Sequence, residues 1–255
     1  MYQVASAEIL AILAAAIAAG AINAVVGSGS LITFPTLLAF GFAPVVANVS
    51  NNIGLVPGNV SSVFGYHEEL SGQRGRLIRL GIASCAGSLA GACALLALPA
   101  GVFQVVVPAL IILACILVVL QPWLAAWVAA RDKERGEHGG PLLFAGVFLA
   151  GVYGGYFGAA QGVLVIGLLG VVLTESLQRI NAAKNVLVTI VNATAAVVFV
   201  IFAHVAWLAV LLVAAGSTAG GLMGARFGRR LPSTALRVII VVIGVVAAVK
   251  LIFFS

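Results

Sequence analysis

Long apolar runs separated by short polar ones dominate this chain. From Leu80 to Ala130 there is no Asp, Glu, Lys or Arg, and from Asn185 to Ala225 the one ionisable group is His204. A helix needs about 20 apolar residues to cross a bilayer core, so each run has room for two crossings. In the first run Leu98-Pro99-Ala100-Gly101 supplies the turn. The pattern predicts full crossings at 45–65, 77–98, 103–126, 184–203, 207–225 and 235–253.

Two further stretches, 7–41 and 141–173, are each too long for one upright helix. Gly27-Ser28-Gly29-Ser30 interrupts the first, and Gly158-Ala159-Ala160-Gln161-Gly162 interrupts the second. Each is either a broken single crossing or a hairpin that re-enters. Basic residues concentrate on the cytoplasmic side of membrane proteins, and that bias separates the two cases. Single crossings would put Arg74, Arg76, Arg79, Arg131, Lys133, Arg135 and Lys250 on one side, against Arg179, Lys184, Arg226, Arg229, Arg230 and Arg237 on the other. Hairpins leave Lys250 alone on one side and gather the other twelve on the opposite, cytoplasmic side. The hairpin reading follows, with both termini extracytoplasmic. Glu8 near the start and the lack of a basic n-region argue against a cleaved secretory signal.

Composition agrees with lipid as the main solvent. The chain is 63% hydrophobic and 8% charged, with mean hydropathy +1.22, which leaves too little charge to coat a water-soluble globule. Alternating ten-residue segments of the β-barrel kind are absent, and glycine is abundant at 30 residues, as in helices that pack through small side chains. The net charge of +6 reads as topology and not as a nucleic-acid surface, because the basic residues sit in loops between apolar spans. Cys85, Cys93 and Cys115 lie in apolar segments without metal-type spacing and imply no disulfide.

The two halves repeat each other. Ala19-Gly20 with Gly27 recurs as Ala150-Gly151 with Gly158, and Asn48, Asn52 and Asn59 recur as Asn181, Asn185 and Asn192. Gly87-Ser88-Leu89-Ala90-Gly91 likewise matches Gly216-Ser217-Thr218-Ala219-Gly220. The expected fold is an all-α polytopic membrane protein of two inverted-topology repeats, each a glycine-broken re-entrant hairpin plus three transmembrane helices. The N-terminal repeat is 1–126, a cytoplasmic linker covers 127–140, and the C-terminal repeat is 141–255. A hairpin plus three crossings is an odd number of passes, so the second repeat must lie upside down relative to the first. Many secondary transporters are built this way around a central site; ancestral duplication in a protein that conducts nothing is the plainer alternative.

Six of the eight asparagines form the two stripes. Their spacing of i, i+4 and i+11 keeps each set within roughly 40° of one helical face. Such amides line a wet pathway or join helices by hydrogen bonds. The broken helices free backbone N–H groups and start new half-helices whose N-termini favour anions. Ser28, Gly29, Ser30 and Gln161 stand at those starts, and no acidic residue lies near either break. A cation pathway would be expected to carry acids, so an anion fits better. Lys184, placed at the start of the 184–203 helix, reads first as a cation snorkelling to the cytoplasmic surface and second as a partner for a substrate anion. Gly87, Gly91, Gly216, Gly220 and Gly224 read as close-packing positions, and Glu8, Glu175, His67 and His204 as interfacial groups. No catalytic constellation, metal site or cofactor motif is present in the sequence, so no enzyme activity and no cofactor is expected.

The run from Ala19 to Leu38, with Gly27-Ser28-Gly29-Ser30 before Pro35 and Leu37-Leu38, resembles the opening signature of the TauE/SafE sulfite exporter family. Ala47-Asn48-Val49-Ser50-Asn51-Asn52, Ala183-Lys184-Asn185 with Asn192, and Gly224-Ala225-Arg226 are also similar to that family's pattern. The second half has no proline matching Pro35. The resemblance implies a bacterial inner-membrane secondary transporter that exports sulfite, an organosulfonate or a related small anion by alternating access. An anion channel with the same lining and a non-transporting scaffold are the rival readings. The expected partners are a small anionic substrate and the lipid bilayer, with no nucleic acid. The site residues expected are Ser28, Gly29, Ser30, Asn48, Asn52, Asn59, Gln161, Asn181, Lys184, Asn185 and Asn192.

Overall fold

A computed structural model describes residues 6–129, 140–227 and 233–253. Among them are ten α-helices, one short 3-10 turn and no strand. In chain order the helices are α1 (Ser6–Val25), α2 (Ser30–Ala39), α3 (Pro44–Gly65), α4 (Arg74–Ala97), α5 (Ala100–Ala129), α6 (Pro141–Tyr156), α7 (Gln161–Val172), α8 (Leu177–Phe202), α9 (Trp207–Phe227) and α10 (Ser233–Phe253). The six crossings expected from the hydropathy pattern correspond to α3, α4, α5, α8, α9 and α10. Five helices, α1, α4, α5, α8 and α9, combine the length and hydropathy of a membrane crossing. Residues 130–139 of the linker expected at 127–140, with Arg131, Lys133 and Arg135, lie outside the described residues, as do Arg229 and Arg230.

One helix start differs in a way that matters. α8 begins at Leu177, not at 184, because Ser176 caps it: the Arg179 N–H donates to Ser176 Oγ at 3.4 Å. Lys184 therefore sits two turns inside α8 and is not at its end. The hydropathy pattern delayed the start because Arg179 and Gln178 interrupt the apolar run.

Both breaks use the same local device. Gly27 has φ +84° and Gly158 has φ +78°, left-handed values that side chains rarely adopt. In each, the glycine N–H reaches back five residues, Gly27 to Ile22 O at 3.0 Å and Gly158 to Tyr153 O at 3.1 Å, and so closes the helix with a π-turn. The second break adds a left-handed Ala160 as the cap of α7, where the first has a right-handed Gly29. After the second break the chain doubles back: Gly154 lies against the Gln161 side chain and Gly146 against Leu168. In the first, Gly29 returns to the Ala19 carbonyl and the Asn23 side chain.

The tertiary packing interlocks the two halves. α1 packs on α9 and α6 on α4, so each first helix leaves its own half and lies on the other. α3 and α8 cross at the centre; α3 also meets α9, and α8 meets α4. α5 pairs with α10, while α7 rests on α5 and α2 on α10. Exchanging α1–α5 for α6–α10 maps each of these pairs onto another pair or onto itself. Glycines permit the tight contacts. Gly216, Gly220 and Gly224 face Ala16, Ile17 and Ala21 of α1, and Gly87 and Gly91 face Phe148 and Val152 of α6. A Cβ on Gly216 would come within 2.8 Å of the Leu13 carbonyl oxygen, so the backbones touch where any side chain would separate them.

Contacts also order the ends of the helices. Arg76 at the start of α4 and Arg179 at the start of α8 share the Glu175 carboxylate, at 3.0 and 2.6 Å. A single-crossing reading would have put those two arginines on opposite faces. Arg237 of α10 reaches Gln121 of α5 at 3.2 Å, and Gly244 packs on Cys115, so these helices run antiparallel. Outward faces carry large apolar side chains, among them Val105, Val119, Trp123, Ile201 and Phe202, as a lipid-facing surface requires. Cys85, Cys93 and Cys115 are free thiols.

Candidate functional site

The two glycine breaks meet. The Gly162 N–H donates to Gly27 O at 3.1 Å, and a Cβ on Gly27 would come within 2.5 Å of the Gly162 Cα. Around this junction α1, α3, α7 and α8 carry buried polar side chains.

Lys184 is the ionisable member of that group. Its side chain is wholly buried, at 0% exposure, and Nζ donates to Asn23 O at 2.7 Å and Ala24 O at 3.4 Å. The snorkelling expectation is therefore overturned: the ammonium turns inward to the carbonyl end of α1, where the helix leaves acceptors without intrahelical partners. Asn181 and Asn185 donate to the same Ala24 carbonyl at 3.0 and 3.4 Å. Three side chains of α8 thus hold the end of one broken helix. On the other half, Asn48 of α3 donates to Tyr156 O, the last residue of α6, at 3.0 Å. The counterpart of Lys184 at the asparagine offset is Asn51, which accepts from Thr33. The stripes are thus alike in their asparagines and unlike in charge.

Between the breaks, Asn52 donates to Asn192 Oδ1 at 3.3 Å and so joins α3 to α8. Asn59 accepts from Asn23 Nδ2 at 3.4 Å, and Asn23 Oδ1 accepts from the Gly29 N–H at 2.6 Å. Ser28, Ser30 and Gln161 are buried at the starts of the second half-helices. Five polar atoms in this region are buried without a hydrogen-bond partner: Ser28 Oγ, Asn52 Oδ1, Asn59 Nδ2, Gln161 Oε1 and Asn181 Oδ1. Unmet polar groups in a protein interior cost free energy, so their concentration marks a place where a solute or water can bind. Among the described residues the buried polar set includes Lys184 and no carboxylate.

The sequence reading missed Asn23. It links Gly29, Asn59 and Lys184, and an amide four residues before Gly27 in an otherwise apolar helix was the available signal. Phe34, Phe103 and Phe157 pack edge to face, with Phe157 centred 5.3 Å from Phe34 and 6.3 Å from Phe103. Elsewhere the Arg76–Glu175–Arg179 cluster ties α4 to α8. Burial alone would raise the Glu175 pKa, but hydrogen bonds from Arg179 and Arg76 and their charges outweigh it and hold the carboxyl below its ordinary value.

Apolar helices interrupted in pairs, with the breaks meeting among buried amides, define a multi-pass membrane protein of transporter type. The TauE family model, described as sulfite exporter TauE/SafE, matches residues 12–251, and the chain belongs to that family. It is 26% identical over 245 residues to the probable membrane transporter protein YfcA of Escherichia coli K12, covering 94% of this chain and 88% of that one. A probable membrane transporter protein, ORF9, from a Sinorhizobium species is 25% identical, with 93% and 89% covered. A probable membrane transporter protein of Haemophilus influenzae is 24% identical, with 96% and 95% covered. No solved structure matches.

Proposed function

We propose that this protein is a secondary transporter exporting a small sulfur-containing anion, sulfite or an organosulfonate, across a bacterial inner membrane. Its two repeats, 1–126 and 141–255, are inverted relative to each other, and both termini are extracytoplasmic. The pairs α1/α2 and α6/α7 are hairpins, the first with an arm long enough to cross the membrane, and their tips form the substrate site. The observation that carries the reading is the wholly buried Lys184 beside the first break, with no buried carboxylate among the described residues to neutralise it. A site with that charge attracts anions and repels cations.

Ser28, Gly29, Ser30 and Gln161 present the half-helix starts to the solute, and Asn48, Asn52, Asn59, Asn181, Asn185 and Asn192 line its path. The aromatic cluster is the outer seal and the Glu175 cluster the inner one; opening them in turn gives alternating access. A potential negative inside favours exit of an anion by about 2.3 kcal/mol per charge per 100 mV, roughly a fiftyfold gradient. The sulfur class rests on the family description and on the charge of the site.

Vesicles reconstituted with the protein and loaded with sulfite, methanesulfonate, thiosulfate or sulfate test this. Saturable release of sulfite or methanesulfonate is expected. Large unitary currents would identify a channel, and no flux of any of the four anions would overturn the transport of sulfur anions.

A further inference from the structure

Under the hairpin topology twelve basic residues share one side and Lys250 stands alone on the other. It lies on α10, three residues before the helix ends at Phe253. Because α10 runs antiparallel to α5, each end of the pair carries one cation and one amide. At one end they bond directly, Arg237 Nε donating to Gln121 Oε1 at 3.2 Å. At the other end, about 20 Å along α10, Lys250 and Gln104 line one cavity instead. Neither has a hydrogen-bond or ion-pair partner among the described residues.

The cavity has a volume of about 620 Å³. Pockets that bury small organic molecules run from about 300 to 1,000 Å³. α2, the turn at 41–44 and α10 wall it, through apolar side chains such as Leu38, Phe42, Val246 and Leu251. Its third polar side chain, Thr36, already donates to Ile32 O at 2.7 Å. No carboxylate lines it. Val242 and Val246 at its edge are 55% and 62% exposed, so the cavity opens on the surface that lipid covers.

Polar and apolar parts of the lining are separated by depth. Gln104 is about one turn into α5 and Lys250 close to the end of α10, which puts both at the end of the helix bundle, at headgroup depth. Val242 lies about 12 Å deeper along α10, toward the bilayer centre. Water filling such a space would lack partners along the apolar walls, and a small oxyanion at Lys250 would leave those walls uncovered. A molecule with an anionic head and a hydrocarbon chain satisfies both parts.

We infer that this cavity binds an anionic phospholipid of the leaflet at the C-terminal end of α10, its phosphate held by Lys250 and Gln104 and an acyl chain lying between α2 and α10. Ser30 of the candidate transport site stands at the other end of α2, so the bound lipid braces the second arm of the first hairpin. Binding does not depend on which solute is carried; that the leaflet is the extracytoplasmic one rests on the topology proposed above.

Photolabelling of the purified protein in detergent tests it, with phosphatidylglycerol carrying a diazirine in its acyl chain and cross-links mapped by mass spectrometry of peptides. Labelling of residues 35–44 and 242–251 is expected, with competition by unlabelled phosphatidylglycerol and little by phosphatidylcholine of the same chains. Lys250→Gln, a change at an exposed residue, is expected to lower this labelling about fivefold, and Lys250→Arg to retain it. Absence of label from both segments overturns the inference, as do equal labelling of the Lys250→Gln variant and equal competition by phosphatidylcholine. Competition by glycerol 3-phosphate or sulfite as effective as that by phosphatidylglycerol overturns it too, because the polar end then belongs to a free anion. No flux is read, so failure here leaves the transport reading standing and failure of transport leaves the lipid site standing.

Discussion

The Gly162 N–H donates to the Gly27 carbonyl across a 3.1 Å gap, and this one bond joins the two broken helices at their tips. Gly27 has a left-handed backbone and its α-carbon faces that of Gly162, so the contact tolerates no side chain on either residue. Gly27→Ala adds a conformational penalty of about 1–3 kcal/mol to a backbone collision. The expected result is lower thermal stability and at least tenfold slower flux. Melting curves and vesicle release measure the two, and a variant that is stable and fully active removes the junction from the mechanism.

Asn52 and Asn192 tie α3 to α8 by one amide hydrogen bond, 3.3 Å long. In lipid such bonds contribute about 0.6 kcal/mol on average, too little to decide the fold. Asn52→Leu and Asn185→Leu are therefore expected to leave expression intact while flux falls. Normal transport by both would mean that the asparagine stripes serve helix packing.

Glu175 gives a pH dependence with a definite sign. Its pKa in the folded protein is held below the ordinary carboxylate value once Arg179 and Arg76 overcome the effect of burial. The stabilisation it brings is fully present above the ordinary carboxylate pKa and is lost as pH falls through the lower folded value. Glu175→Gln should reduce the melting temperature at neutral pH and flatten its fall in acid. Parallel acid limbs for the wild type and the variant would show that the cluster adds nothing.

Topology is open to thiol labelling. In a variant without native cysteines, single cysteines at Ser71 and Ser176, exposed residues near Arg76 and Glu175, should react with an impermeant reagent from the same side. A cysteine at the exposed Gly41, at the far end of α2, should react from the opposite side. Labelling of the first two from opposite sides would return the single-crossing arrangement and remove the inversion.

Hydropathy placed α3, α4, α5, α9 and α10 and the later part of α8, and the glycine runs located both breaks, because apolar length and loss of helix propensity are local properties of the chain. The charge bias also foretold that Arg76 and Arg179 share one end, since loop charges are read along the sequence. What Lys184 does was not legible. Its immediate neighbours suggested a residue near the surface, whereas its partners, Asn23 O and Ala24 O, lie some 160 positions earlier. Nor could repeat matching reveal that α1 lies on α9 and α6 on α4, because equivalent halves pack equally well by local pattern whether separate or interlocked. Tertiary structure decides such questions: an ammonium in lipid must find acceptors wherever the folded chain provides them, and small residues let backbones touch only after the partner helix has been chosen.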